Sequence, residues 1–127
     1  MNLRKNSKPT ESELEILQVL WEQESSTVRD VHEVLSKTKE TGYTTTLKLM
    51  QIMFEKKLVT RDDSAKTQIY KAAVSKQNTQ KQFLDKMING LFSGSSTQLV
   101  LQALGNQKAS KNELAEIQKY LDDLKKQ

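Results

Sequence analysis

Apolar residues recur at the three- and four-residue spacing of an α-helix in three consecutive segments, and two short β-compatible segments follow them. Thr10 and Glu13 form a predicted capping box at the start of the first segment, and Thr27 is the expected N-cap of the second. The β-compatible segments flank a charged turn, as in a β-hairpin. Three helices followed by a hairpin predict a winged helix, which is a helix-turn-helix fold. The five segments cover residues 10–22, 28–35, 44–57, 58–61 and 67–71.

The apolar periodicity also assigns a core-facing side to each helix. Met50, Met53 and Phe54 are predicted to point inward from the third helix, and Trp21 is expected to anchor the core at the end of the first. These side chains would build the hydrophobic core of a winged-helix domain that spans residues 1–75.

Residues 76–127 carry three further helical segments, whose apolar faces are wider than a lone amphipathic helix needs. A unit of about fifty residues buries too little surface to be stable alone, so we expect these faces to pair with a second copy. The predicted fold is therefore mainly α with a small β-hairpin: an N-terminal winged helix followed by a C-terminal helical dimerisation region. The expected interface residues are Phe83, Leu84, Met87, Ile88, Leu91, Phe92, Leu99, Val100, Leu104, Leu114, Ile117 and Leu121.

Several classes of function are excluded by composition. The chain has no cysteine and one histidine, His32, so we expect no metal, no cofactor, no small-molecule substrate and no catalytic triad. The candidate acidic pairs are Asp62-Asp63 on a turn and Asp122-Asp123 on a helix, where adjacent side chains diverge by about 100°. The protein is thus predicted not to be an enzyme. Because the sequence has no long apolar stretch and no cysteine, we expect a cytoplasmic location.

Charge is unevenly distributed along the chain, although the net charge is only +4. Residues 1–9 form a basic arm of +3 that contains Arg4 and Lys5, residues 10–42 carry −5, and residues 43–75 return to +3. The second basic stretch begins where the third helix begins. This distribution favours an anionic partner, and binding to a nucleic acid would depend strongly on salt.

Three consecutive threonines open the third helix, at positions 44–46. Threonine is a poor residue inside a helix but a good one at its start, beside unpaired backbone amides. Helix N-termini bind phosphates, although simple N-capping explains the threonines equally well when this helix is taken alone. In a winged helix the third helix enters the major groove and the hairpin lies along the phosphate backbone. The residues predicted to contact double-stranded DNA are Tyr43, Thr44, Thr45, Thr46, Lys48, Gln51, Arg61 and Lys66.

Three stretches carry a family likeness: residues 10–21, residues 43–46 together with 55–59, and residues 83–90. They resemble the penicillinase-repressor and methicillin-resistance-regulator family of bacterial transcriptional repressors. The Tyr-Thr-Thr start of the third helix and the Leu-Trp end of the first are fairly specific, whereas the C-terminal stretch alone is weak. With the order of elements, the resemblance covers nearly the whole chain.

The resemblance implies a repressor that binds a palindromic operator as a homodimer, through the third helix and wing residues given above. It also implies release from the operator when a membrane metallopeptidase-type sensor, or a protease downstream of it, leads to cleavage. A winged helix that has lost DNA binding and contacts another protein is the alternative. The basic arm, the threonines and the wing lysines favour DNA.

Three positions depart from the family pattern. Ile52 stands where the family often has an arginine in the third helix, so the operator sequence is expected to differ. Lys57 replaces the usual glycine after that helix and must adopt a conformation that glycine adopts at lower cost. Gln102-Ala103 falls where the family's cleavable Asn-Phe pair would stand, so cleavage is expected at another site or not at all.

Overall fold

The computed structural model describes residues 8–106 and 108–127. Within them the chain forms six helices and one antiparallel hairpin in the order expected of a winged helix with a helical C-terminal part, which confirms the predicted fold class. The arm residues Arg4 and Lys5 lie outside the described residues. The elements are α1 (Glu11–Gln23), α2 (Val28–Leu35), α3 (Tyr43–Glu55), β1 (Val59–Asp62), β2 (Ile69–Ala72), α4 (Lys76–Leu91), α5 (Ser96–Asn106) and α6 (Lys111–Lys125).

Capping boxes start α1, α2 and α6. At α1 the Thr10 hydroxyl accepts a hydrogen bond from the backbone amide of Glu13 at 3.2 Å, and a carboxylate oxygen of Glu13 accepts from the Thr10 amide at 2.9 Å. Each box satisfies two backbone donors that a helix start would otherwise leave open. The pairs at the other two helices are Thr27–Asp30 and Ser110–Glu113.

The first compact unit ends at Thr79, and its core is built from one face of α1, α2 and α3 together with the hairpin. Trp21 is half-buried against this core, and its indole N–H donates to the Val74 carbonyl at 2.9 Å, in agreement with its expected anchoring role. Tyr70, in the middle of β2, is fully buried. The buried apolar residues are Ile16, Leu17, Val19, Leu20, Val28, Val31, Met50, Met53, Leu58, Val59 and Tyr70.

The hairpin, or wing, is attached to the connection between α1 and α2. Within it Arg61 lies directly opposite Tyr70. On its other edge Tyr70 exchanges two backbone hydrogen bonds with Ser26, of 3.0 and 2.8 Å. Ser26 is buried, and the sequence predicted only a polar connection at this point.

A Schellman motif ends α3. Lys57 has a φ of 66°, the amide of Leu58 donates to the Met53 carbonyl at 2.9 Å, and the amide of Lys57 donates to the Phe54 carbonyl at 3.1 Å. Leu58 and Met53 are both buried. Lys57 therefore has the glycine-like conformation that the family resemblance implied.

Lys57→Gly is expected to raise the free energy of unfolding by about 1 kcal/mol, because glycine adopts a positive φ without a Cβ penalty. Urea unfolding at one protein concentration measures this change. Lys57→Ala is the matched control, since it removes the same charge and keeps the Cβ atom. Equal stability of the glycine and alanine variants would contradict the prediction.

The second compact unit begins at Gln80, inside α4, whereas the sequence placed the domain boundary before Lys76. Among its described residues none is buried. Of the predicted dimer-interface residues, half are exposed and half are partly buried. The exposed ones are Leu84, Met87, Leu91, Val100, Leu114 and Leu121, and the partly buried ones are Phe83, Ile88, Phe92, Leu99, Leu104 and Ile117.

Candidate nucleic-acid interface

The solvent-facing side of α3 carries most of the residues that the sequence predicted to contact DNA. The opposite side packs Met50 and Met53 into the core, so the helix is fixed in rotation about its own axis. The side chains left in solvent are polar or aromatic and begin at the first helical residue. The predicted contact residues among them are Tyr43, Thr44, Thr45, Lys48 and Gln51, and Phe54 and Glu55 are also exposed near the end of the helix.

Thr46 lies on the core side of α3, with 1% of its surface exposed. Its hydroxyl donates to the Gly42 carbonyl at 3.5 Å. Successive helical residues point about 100° apart, so three consecutive threonines cannot all face the same partner. The prediction that Thr46 contacts DNA is therefore corrected, because its side chain belongs to the core.

The N-cap of α3 is Gly42, which has no side chain to accept a hydrogen bond from the first-turn amides. The threonines follow it inside the helix and are not the N-cap, so the capping explanation that the sequence left open does not hold. The start of α3 carries the partial positive charge of a helix N-terminus. This end of α3 is suited to lie near an anion.

Two side chains of α2 hold Tyr43 in place. The guanidinium carbon of Arg29 is 5.6 Å from the centre of the Tyr43 ring, within cation–π range. The His32 imidazole meets the same ring edge to face at 5.8 Å, and its Nε2 lies 3.3 Å from the Ser36 hydroxyl. These contacts join the start of α3 to α2.

Arg29 was not among the residues that the sequence predicted for this surface. It is exposed and occupies the second position of α2, directly after Val28. The helix dipole disfavours a cation at that end of a helix. A basic residue at the start of a predicted helix, where the dipole disfavours it, is a sequence signal that could have pointed to Arg29.

Arg61, a predicted wing contact, lies against α3 rather than at the tip of the wing. Its guanidinium carbon is 4.1 Å from the centre of the Phe54 ring, and its Nε is 2.9 Å from a carboxylate oxygen of Asp63. The neighbouring Tyr70 hydroxyl and the Asp63 carboxylate raise the pKa of Arg61 above its ordinary value. Arg61 is thus a cation already paired within the wing.

Phe54 is 36% exposed beneath this guanidinium, so the prediction that it points into the core is wrong. Met50 and Met53 occupy the core side of α3, and Phe54 follows Met53 by one residue, which turns its ring toward the wing. Phe54 and Arg61 border a groove along α3 that Ile52 also lines. Ile52, which departs from the family pattern, therefore lies next to the predicted contact residues Lys48 and Gln51, which line the same groove.

The tip of the wing carries charges of both signs. The Asp62 carboxylate accepts a hydrogen bond from the Ser64 amide at 2.9 Å, and hydrogen bonds from Ser64 hold the pKa of Asp62 below its ordinary value. Lys66 is exposed on the other side of the turn. At neutral pH the tip therefore presents a carboxylate held by its own turn and a cation free to face solvent.

A cleft of about 330 Å³ lies between the starts of α2 and α3 and the second half of the wing turn. Arg29 reaches it from α2, and Lys66 reaches it from the wing. Polar groups of Thr27, Thr67 and Gln68 also line it, and its lining contains no acidic residue. Tyr43 connects this cleft to the exposed face of α3.

Two further observations concern other kinds of site. In the ranges 8–106 and 108–127, acidic and histidine side chains form no group of three that could hold a metal ion. Across the same ranges no helix combines the length and the apolar character needed to cross a membrane.

Comparison with known families identifies the group to which this architecture belongs. The model of the family described as penicillinase repressor matches residues 9–123, from just before α1 into α6. The chain belongs to the penicillinase repressor family. This match confirms the resemblance seen in the sequence. Penicillinase repressors are transcriptional regulators and not enzymes. No curated protein matches the chain.

Gln102 and Ala103 stand where the cleavable Asn-Phe pair of the penicillinase repressor pattern would fall. The structure places both within α5, where they are exposed. A protease binds its substrate as an extended strand, so cleavage there would require α5 to open locally.

Proposed function

We propose that this penicillinase repressor binds a palindromic operator as a homodimer, with α3 in the major groove and the wing along the phosphate backbone. The exposed polar face of α3 carries the proposal. That face lies opposite the core-packed face of α3. The helix begins at Gly42 without a side-chain cap, beside a cleft that Arg29 and Lys66 line.

The chemistry of the α3 face fits an operator. An α-helix fills the major groove, where Gln51 could form two hydrogen bonds with an adenine edge and Lys48 could bond guanine acceptors. Thr44 and Thr45, at the positive end of the helix, are suited to phosphate oxygens. Ile52 lines the groove beside Gln51 and offers an apolar contact to a thymine methyl group.

The second unit supports the homodimer. Its described residues include none that is buried, while large apolar side chains on all three helices are exposed. Contact between two copies would cover these side chains and set two α3 helices on half-sites separated by whole turns of the duplex.

Release from the operator is proposed to depend on a membrane metallopeptidase-type sensor or a protease downstream of it. Membership of the penicillinase repressor family supports this step. The exposed helical position of Gln102 and Ala103 makes the opening of α5 a requirement for cleavage at that pair.

The proposed function is tested by selecting duplex fragments of the source genome with the full-length protein and sequencing those that bind. An inverted repeat enriched among them is the expected result. Enrichment of no duplex at any salt concentration would exclude a DNA-binding repressor and favour the protein-interaction alternative.

Gln51→Ala and Lys48→Ala are each expected to weaken binding to the selected operator about tenfold, because each removes a groove contact. Gel-shift titration measures the affinity, and sedimentation checks that the dimer is unchanged. Gln18→Ala is the control for Gln51, since Gln18 is exposed on α1. Unchanged operator affinity of both α3 variants would contradict the assignment of α3 as the recognition helix.

A further inference from the structure

We propose that the cleft between α2, α3 and the wing holds one phosphate group of the DNA backbone, gripped by Arg29 and Lys66 together. This inference rests on the proposed DNA binding and assigns to it a residue, Arg29, that lies outside α3 and outside the wing. The cleft would fix the position of the duplex relative to α3.

The placement of Arg29 is the first argument. The helix dipole disfavours a cation at the second position of α2. The next residue, Asp30, is already engaged with Thr27 in the capping box. The guanidinium nevertheless stays at the cleft, 5.6 Å from the Tyr43 ring centre. A guanidinium held in this way loses less freedom on binding, and its planar donor fork matches two phosphate oxygens.

The composition of the cleft is the second argument. Lys66 reaches the cleft from a different element, and the lining contains no carboxylate to neutralise the two cations. The hydroxyls of Thr27 and Thr67 add donors suited to oxygen ligands. A single anion between the two cations would relieve their mutual repulsion. A phosphodiester carries one negative charge and has oxygens that accept hydrogen bonds.

The position of the cleft favours contact with the phosphate backbone of DNA over contact with the bases. Tyr43 and Leu47, in the first part of α3, form part of its wall, whereas Lys48 and Gln51 do not line it, so the cleft lies beside the start of the exposed face. A phosphate bound there would flank the groove that α3 enters. Contacts to phosphates position a protein without reading sequence, so the cleft should strengthen binding to every duplex.

The test uses full-length protein with Arg29→Gln, Lys66→Gln and the double variant. Affinity is titrated across a salt series on two duplexes of equal length, the selected operator and a random sequence. Each single variant is expected to bind both duplexes about tenfold more weakly, the size of one charged hydrogen-bonded contact. Because one phosphate is shared, the double variant is expected to lower the slope of log affinity against log salt by about one.

Lys119→Gln is the matched control, since it removes the same charge from an exposed position in α6. It is expected to leave both the affinity and the slope unchanged. Thermal unfolding of each variant checks that its fold is intact.

The outcomes separate the cleft from the wider proposal. A slope lowered by about two in the double variant would mean two separate phosphates and would overturn the shared site. A loss confined to the operator would mean base contacts and would overturn it as well. If wild-type protein binds DNA and the double variant leaves the slope unchanged, the cleft proposal alone is wrong. If wild-type protein binds no duplex, the proposed function is wrong with it.

Discussion

A chain that ends at Thr79 is expected to sediment as a monomer and to bind a two-half-site operator about a hundredfold more weakly than the full chain, because it loses the linkage of two binding modules. All buried core residues lie before Thr79, so the shortened chain retains the packing of the winged helix. Sedimentation and gel-shift titration measure the two effects. A tight dimer formed by the shortened chain would refute the assignment of dimerisation to the second unit.

Leu91→Glu tests the same interface in the full-length chain. Leu91 is 78% exposed, so a charge there leaves the monomer fold intact but opposes burial against a second copy. Asn89→Glu is the control: it adds the same charge to α4 at a position about 200° around the helix from Leu91. Dissociation of the Leu91 variant alone is expected, and equal dimerisation of both variants would contradict an interface on that face of α4.

Lys56→Met is expected to lower the free energy of unfolding by about 2–3 kcal/mol, because it leaves the Glu13 carboxylate buried without its cation. The Lys56 ammonium lies 2.7 Å from a carboxylate oxygen of Glu13, whose side chain is only 2% exposed. The expected loss in free energy of unfolding is below the full cost of breaking a buried ion pair, because Lys56 keeps 19% of its side chain in solvent. Urea unfolding at fixed protein concentration and neutral pH measures the loss.

Lys39→Met supplies a closely matched control for the loss of Lys56. Lys39 pairs with Glu15 at 2.8 Å, nearly the same distance, but the two side chains are 41% and 46% exposed. Water screens such a pair, so the expected loss is under about 1 kcal/mol. Similar losses for the two variants would show that burial of Glu13 does not govern the strength of its ion pair.

Features encoded by residues close together in the chain could be predicted from the sequence. The capping box at Thr10 depends on residues three positions apart, and the helices follow from apolar periodicity. The positive φ of Lys57 was implied by the family resemblance, because the family usually has glycine at that position.

Features set by distant contacts could not be predicted from the sequence. The burial of Thr46 is not one of these features, because Thr46 precedes Met50 by four residues and Met53 by seven and so shares their predicted core face. Phe54 is an apolar residue, yet its ring packs against the Arg61 guanidinium, a contact that forms only when the hairpin is folded. Glu13 was assigned its capping role correctly, but its second partner, Lys56, is 43 residues away.

The two hydrogen bonds between Ser26 and Tyr70 join main-chain atoms, so they do not depend on which side chains the hairpin turn carries. Substitutions across residues 63–67 can therefore change the charge and shape of the tip while the direction of the hairpin stays fixed. Changes in one short loop could in this way alter how strongly the hairpin tip attracts an anionic partner, while the scaffold that presents the tip stays the same.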